Sequence, residues 1–258
     1  MARQSRPLMP DPPPVLLTRP RAQSDRFAAA LRARFGQAVR VTVAPLIAPR
    51  WIASEPPGGL APLLARAAGM IFTSETGVEG FRRLSADACP EFVPGLAWCV
   101  GPRTAAVARA AGFRAISAGG DAESLVALLT GRQAEGPLVH ARGREARGAV
   151  AARLTAAGIE TSETIVYAQE PVPLSPGAAA LLAGAGPVLA PLFSPRSAAL
   201  FAAAAGAARA PLWLAAISRA AADEAAALAP ARLAIAPEPS AEGMMAAVAA
   251  LIAAPAAG

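Results

Sequence analysis

The sequence has no lysine, one histidine, one tyrosine and two cysteines, and these shortages exclude several kinds of protein. Cys89 and Cys99 are too few for a disulfide framework or a four-cysteine metal site, which favours a reducing, cytoplasmic setting. The clustered histidines, cysteines or carboxylates of a metal site are also missing, so we expect no metal. No string resembles a P-loop or a GxGxxG fingerprint, which argues against a bound nucleotide.

Charge and hydropathy exclude further classes of protein. The formal charge is +6, but residues 1–50 hold nine arginines and two acidic residues, so the excess lies near the N-terminus. Without interleaved aromatic residues, this distribution leaves nucleic-acid binding a remote alternative. Residues 1–14 lack the apolar stretch of a signal peptide, and no apolar run reaches membrane-spanning length. We therefore expect no membrane association and a cytoplasmic protein.

The chain does contain short apolar runs that alternate with alanine-rich helical segments, which is typical of parallel α/β layers. Hydrophobic residues make up 54% of the sequence and aromatic residues 5%, so the core must consist of Ala, Leu, Val and Ile. A length of 258 residues fits one large α/β domain or two smaller ones. The predicted strands are Val15–Thr18, Ile71–Thr73, Ala97–Val100, Ala115–Ser117, Leu138–His140, Val188–Phe193, Leu212–Ile217 and Leu233–Ala236.

Two stretches, 38–45 and 159–168, alternate apolar and polar residues as exposed or edge strands do. We interpret them as linkers, which predicts two Rossmann-like lobes with parallel sheets, a two-stranded linker and a ligand cleft between the lobes. The predicted bounds are 1–37 with 169–258 for the discontinuous first lobe, 46–160 for the second, and 38–45 and 161–168 for the linker strands.

Strings that recur in the same order support this duplicated architecture. The matched pairs are Phe72-Thr73-Ser74-Glu75 with Phe193-Ser194-Pro195-Arg196, Cys99-Val100-Gly101-Pro102-Arg103-Thr104-Ala105 with Ala216-Ile217-Ser218-Arg219-Ala220-Ala221, and Ile116-Ser117-Ala118 with Ile235-Ala236-Pro237. Each string stands where a strand ends and a helix begins. Small polar residues and backbone N–H groups at that position form a natural anion site, although Ser and Thr there also serve as ordinary N-caps. The candidate ligand residues of this kind are Thr73, Ser74, Gly101, Thr104, Ser194, Ser197 and Ser218.

Taken in order, these strings resemble the uroporphyrinogen-III synthase family over nearly the whole chain, from Val15 to about Leu251. The residues that carry the resemblance are Leu17-Thr18-Arg19-Pro20, Phe72-Thr73-Ser74, Val100-Gly101-Pro102-Arg103-Thr104-Ala105, Ala141-Arg142-Gly143 with Arg147 and Leu154, Gly158, Val166-Tyr167 and Phe193-Ser194-Pro195. One string departs from the family pattern, because Ser218 stands where Gly is common and Ala220 where Thr is common.

The resemblance implies an enzyme of tetrapyrrole biosynthesis. The family closes hydroxymethylbilane into uroporphyrinogen III, inverting the last pyrrole ring through a spiro intermediate with loss of water and without a cofactor. Such a protein must bind several carboxylates, hold the chain ends together and help water leave. We expect a monomer that takes this small-molecule substrate. The alternative is a non-enzymatic bilobed module that binds a small anion.

Individual side chains can be assigned within this picture. Tyr167 matches the family tyrosine proposed as proton donor to the departing hydroxyl, and its alternative role is an aromatic that packs on the linker. Arg19 and Arg142 are predicted to bind substrate carboxylates, and Gly143, next to Arg142, is predicted to contact the substrate as well. Arg147 and Arg21 are assigned to the surface. His140 ends an apolar strand, so a core or strand-end role is favoured over catalysis.

Overall fold

The computed structural model describes residues 12–52, 59–146 and 148–253. The chain divides into two compact units, one formed by residues 1–48 and 171–258 and the other by residues 49–170. None of the helices in the described residues has the length and apolar character that a membrane span requires.

Strands and helices alternate along the described residues. The strands are β1 Val15–Leu17, β2 Val41–Val43, β3 Ile47–Trp51, β4 Gly69–Phe72, β5 Leu96–Cys99, β6 Arg114–Ser117, β7 Leu138–Gly143, β8 Thr161–Pro171, β9 Val188–Leu192, β10 Leu212–Ala216 and β11 Arg232–Ile235. The helices are α1 Arg21–Phe35, α2 Leu60–Arg66, α3 Glu75–Ala88, α4 Pro102–Ala110, α5 Ala122–Gly131, α6 Val150–Ala156, α7 Pro176–Leu182, α8 Pro195–Ala205, α9 Arg219–Glu224 and α10 Ala241–Ala253.

The first unit is a sheet of order β11-β10-β9-β1-β2 in which every pairing is parallel. The three central strands β1, β9 and β10 are largely buried on both faces, as their continuous apolar runs require. Leu16 packs with residues of α7, α8 and α9 on one face. Val15 and Leu17 pack on the other face with residues of α1 and α10. The result is a three-layer α/β unit.

The second unit is a sheet of order β3-β8-β7-β4-β5-β6, and the pairings from β8 to β6 are parallel. Helices α2, α3 and α4 contribute to the core on one face, and α5 and α6 contribute on the other. Phe72, Phe81, Phe92 and Phe113 form an aromatic cluster with centroid distances from 5.3 to 6.2 Å. These four phenylalanines are a large share of the chain's few aromatic residues, and they all lie in one core.

The two alternating segments lie inside the sheets, where the sequence analysis expected linkers. Segment 38–45 contains β2, the edge strand beside β1, and segment 161–168 lies within β8, which pairs with β7. The alternation in β2 reflects its edge position, because one face and one side of an edge strand contact solvent. The chain instead passes from one unit to the other within β3, after Ala48, and at the end of β8, after Glu170.

Candidate active site

The predicted site residues lie at the carboxyl ends of parallel strands in each unit. In the second unit, Thr73 and Ser74 follow β4, Gly101 follows β5, and Gly143 ends β7, which lies beside β4 in the sheet. Because neighbouring parallel strands end at the same edge, these residues share one edge of that sheet. Open α/β sheets bind ligands at this edge.

Helix α3 brings Ser74 close to β7 and β8 through two glycines on one helical turn. A methyl group at Gly77 would lie 3.0 Å from the carbonyl oxygen of Ala141, and one at Gly80 would lie 2.9 Å from Cγ2 of Val166. The helix backbone therefore approaches the strands more closely than a side chain would allow. Ser74 begins the helix, and its Oγ accepts a hydrogen bond from the Gly77 N–H at 2.9 Å.

Tyr167 reaches the same edge because β8 contains a bulge. Arg142 pairs with Ile165 and Gly143 pairs with Tyr167, so β8 holds one extra residue, Val166, between the two pairs. A bulge of this kind changes which face of the sheet the following side chain points to. Tyr167 is consequently buried in the core on the α3 face, with 8% of its surface exposed.

The Tyr167 ring rests directly on Gly143. A methyl group at Gly143 would lie 2.5 Å from Cζ of the ring and 2.8 Å from Oη, so only glycine fits there without movement. The phenol oxygen lies 3.1 Å from Oγ of Ser74, within hydrogen-bond distance. The N-terminus of α3, which begins after Ser74, lies beside this pair of hydroxyls.

A second polar group lies on the other face of β7, around His140. Its Nε2 atom is 3.1 Å from Oγ1 of Thr73, and the ring is buried with 1% exposure. Glu163 on β8 pairs with His140 in the sheet register and forms a 2.7 Å ion pair with Nη2 of Arg142. The His140 imidazole and then the Arg142 guanidinium lower the pKa of Glu163 to about 2, although burial acts to raise it. Glu163 is therefore ionised at neutral pH.

Arg142 lies inside β7, whereas the sequence analysis placed it after a strand. The strand continues to Gly143 because β8 supplies partners to that point. Its Nη1 atom donates to the carbonyl oxygens of Gly143 and Arg144, and Nη2 pairs with Glu163, so most of its donors are used within the protein. Arg147 lies outside the described residues.

In the first unit, Arg19 and Ser194 follow the neighbouring strands β1 and β9. The Arg19 guanidinium stacks on Phe193 at 4.1 Å from the ring centroid. Ser194 and Ser197 form a capping box at the start of α8, in which each side chain bonds to the backbone of the other. Ser218 similarly caps α9 through the Ala221 N–H.

Two predicted ligand residues are buried instead of presented at the edge. Thr104 in α4 and Ser197 in α8 are 5% and 8% exposed, and Ser197 is held by the capping box. Both face the helix–sheet core because they occupy the third helical position, one turn beyond the N-cap. Gly101 differs from the serine caps, since α4 begins there without any side-chain cap. Its first-turn N–H groups are therefore not bonded by an N-cap side chain.

Glu163 was not singled out from the sequence. The alternating pattern of its strand predicted only an exposed or edge position, and nothing in the local sequence relates it to His140 or Thr73. Only the pairing of β7 with β8 and of β4 with β7 brings the three side chains together.

A family model described as "Uroporphyrinogen-III synthase HemD" matches residues 25–246. A uroporphyrinogen-III synthetase from Helicobacter pylori is similar in structure, with a TM-score of 0.57 and 13% identity over 93% of this chain and 99% of that one. A mutant uroporphyrinogen III synthase from Thermus thermophilus matches with a TM-score of 0.48 and 13% identity over 93% of this chain and 98% of that one. No curated protein matches the sequence.

Proposed function

Because the chain belongs to the uroporphyrinogen-III synthase family and functions in tetrapyrrole biosynthesis, we propose that it acts as a cyclising lyase on hydroxymethylbilane. The reaction removes the terminal hydroxyl as water, inverts the last pyrrole ring and closes the macrocycle. The observation that carries this assignment is the hydroxyl pair of Tyr167 and Ser74 at the sheet edge, with Oη and Oγ 3.1 Å apart. We expect the enzyme to work as a monomer.

In this proposal Tyr167 donates its proton to the departing hydroxyl. A phenol remains protonated at neutral pH and so can act as an acid there. Ser74 supports the transfer by donating a hydrogen bond to the phenol oxygen, while its own Oγ accepts one from the Gly77 N–H. Negative charge that develops on the phenol oxygen then meets a hydroxyl donor and the N-terminus of α3, which both stabilise it.

The carboxylates of the substrate are proposed to bind at the strand ends. Gly101 and the first turn of α4, apart from Pro102, offer backbone N–H groups, and such groups are suited to anions. Thr73 adds a half-buried hydroxyl beside Ser74, and Arg19 and Ser218 are the corresponding proposals in the first unit. Many modest contacts of this kind fold a flexible substrate, and holding reacting groups near each other accounts for much of a rate enhancement.

The proposal is tested by incubating the purified protein with freshly made hydroxymethylbilane and identifying the porphyrin isomer after oxidation. We expect the type III isomer to form in excess over a control with heat-denatured protein. The type I isomer alone, at the rate of the control, would show that the protein does not catalyse the reaction. It would favour a binding module for a small anion.

A further inference from the structure

The chain's one histidine lies next to a residue that the proposed function assigns to the substrate. His140 is on β7, and Thr73 follows the adjacent strand β4, with Nε2 and Oγ1 separated by 3.1 Å. At 1% exposure the imidazole contacts no bulk solvent. Thr73 is half-buried and lies beside Ser74 at the sheet edge. The imidazole therefore contacts Thr73 on the side of that residue that faces the protein interior.

The other ring nitrogen faces a fixed negative charge. Nδ1 of His140 lies 3.7 Å from Oε1 of Glu163, which is too long for a hydrogen bond, and has no hydrogen-bond partner among the described residues. The charged groups around the ring are Glu163 on β8 and Arg142 on β7, which pairs with Glu163. Helix α6 contributes apolar residues and Thr155 to the adjoining pocket of about 810 Å³. The carboxylate favours a proton on Nδ1 over one on Nε2.

A proton on Nδ1 determines the hydrogen bond at the opposite end of the ring. Nε2 of the neutral ring is then an acceptor, so the Thr73 hydroxyl donates to it and presents only lone pairs to a ligand. When the ring is protonated, Nε2–H donates to Thr73 and frees the hydroxyl proton.

We propose that His140 is a positioning residue that sets whether Thr73 offers a lone pair or a proton to the substrate. This inference rests on the proposed function, in which Thr73 contacts the substrate. With the neutral ring, Thr73 accepts a hydrogen bond, and the pyrrole N–H groups are the donors that such a substrate carries. With the protonated ring, Thr73 donates to a carboxylate instead. The protonation state of the buried ring therefore determines the polarity of the substrate contact at Thr73.

The tautomer can be measured without an activity assay, because the chain has one histidine and its imidazole resonances need no assignment. We expect the nitrogen-15 spectrum of the unmodified protein, at a pH above the ring's titration, to show the proton on Nδ1. Thr73→Val should shift the Nε2 resonance, since it removes the hydroxyl and keeps the shape. A spectrum dominated by the Nε2–H tautomer overturns the proposal.

Enzyme activity provides a second test of the role proposed for His140. We expect Thr73→Val, which removes the hydroxyl, to lower kcat/KM of type III formation by about 2- to 10-fold, the effect of one neutral hydrogen bond. His140→Gln places an amide near the position of Nε2, so it can still form a hydrogen bond with Thr73 and should lower kcat/KM less than His140→Asn does. His140→Asn is the matched control, because its shorter amide cannot reach Thr73 and should lower activity at every pH.

The outcomes separate this inference from the proposed function. If the type III isomer is made and His140→Gln and His140→Asn lower kcat/KM equally, the positioning role is wrong and the proposed function stands. If no type III isomer is made, the proposed function is wrong, and the nitrogen-15 spectrum still decides which atom donates between His140 and Thr73. That spectrum is taken on the unmodified chain, so it also decides the matter if His140→Gln does not fold.

Discussion

Gly143→Ala should displace Tyr167 and weaken both stability and activity. The added methyl would lie 2.5 Å from Cζ of the ring and 2.8 Å from Oη, whereas carbon atoms at rest lie about 3.5–4.0 Å apart. The ring must therefore move by about 1 Å, which lengthens the 3.1 Å contact with Ser74 beyond hydrogen-bond range. Overpacking costs about 1–3 kcal/mol, and the lost hydrogen bond adds about 0.5–1.5 kcal/mol.

The assay is urea unfolding, with Gly131→Ala as the matched control. Gly131 ends α5 in the same unit, and a methyl there meets no atom within 4 Å. We expect the control to leave the free energy of unfolding unchanged or to raise it by up to about 1 kcal/mol. Gly143→Ala should also lower the rate of type III formation, because the phenol is displaced from Ser74.

The cause is tested by repeating Gly143→Ala in a Tyr167→Leu background, which lacks the ring atoms that the methyl would meet. The cost of the alanine should then fall to below about 1 kcal/mol, and the difference between backgrounds measures the clash. An equal cost in both backgrounds would refute the reasoning, since the destabilisation would then arise from the backbone and not from the ring.

Three further predictions follow from single contacts. Tyr167→Phe should still make the type III isomer and should reduce turnover by less than the 10²–10⁴-fold typical of losing a sole acid. Complete loss of activity in a folded variant would instead show that Tyr167 is essential. Because the pKa of Glu163 falls from 4.5 to about 2 on folding, its carboxylate stabilises the fold above pH 4.5 and this contribution disappears as the pH falls towards 2. Urea midpoints at pH 3 and pH 6 should accordingly differ less in Glu163→Gln than in the unmodified chain, and equal differences would contradict the assignment. Burial raises the pKa of Cys99 to about 11, so iodoacetamide should label it slowly at pH 7.5 until urea unfolds the chain, as mass spectrometry can follow.

The strands and the residues that follow them could be predicted because both depend on local sequence. An apolar run bounded by a turn residue is a local signal of a buried strand, and Ser74 and Ser194 stand at helix starts where N-caps are favoured. The end of β7 could not be predicted in this way. Arg142 interrupts the apolar run, and the strand continues only because β8 supplies hydrogen bonds to it.

The contacts of the site depend on pairs that are distant in sequence. The bulge at Val166 decides which way Tyr167 points, and it depends on register with β7, which no periodicity of β8 reveals. The place of His140 at the end of an apolar run predicts a core or strand-end role, and its burial fits that role. Its contact with Thr73 joins residues 67 positions apart, so only the sheet order could reveal it.

The start of α4 at Gly101 affects how this protein can be studied by mutation. A hydroxyl or guanidinium is lost when its residue is replaced by alanine, but a main-chain N–H is retained by every residue except proline. Since α4 has no side-chain cap, the turn at Gly101 offers a ligand main-chain groups, which only a substitution by proline removes. Alanine substitutions leave these donors in place. The same property lets the sequence of this turn diverge while its donors persist.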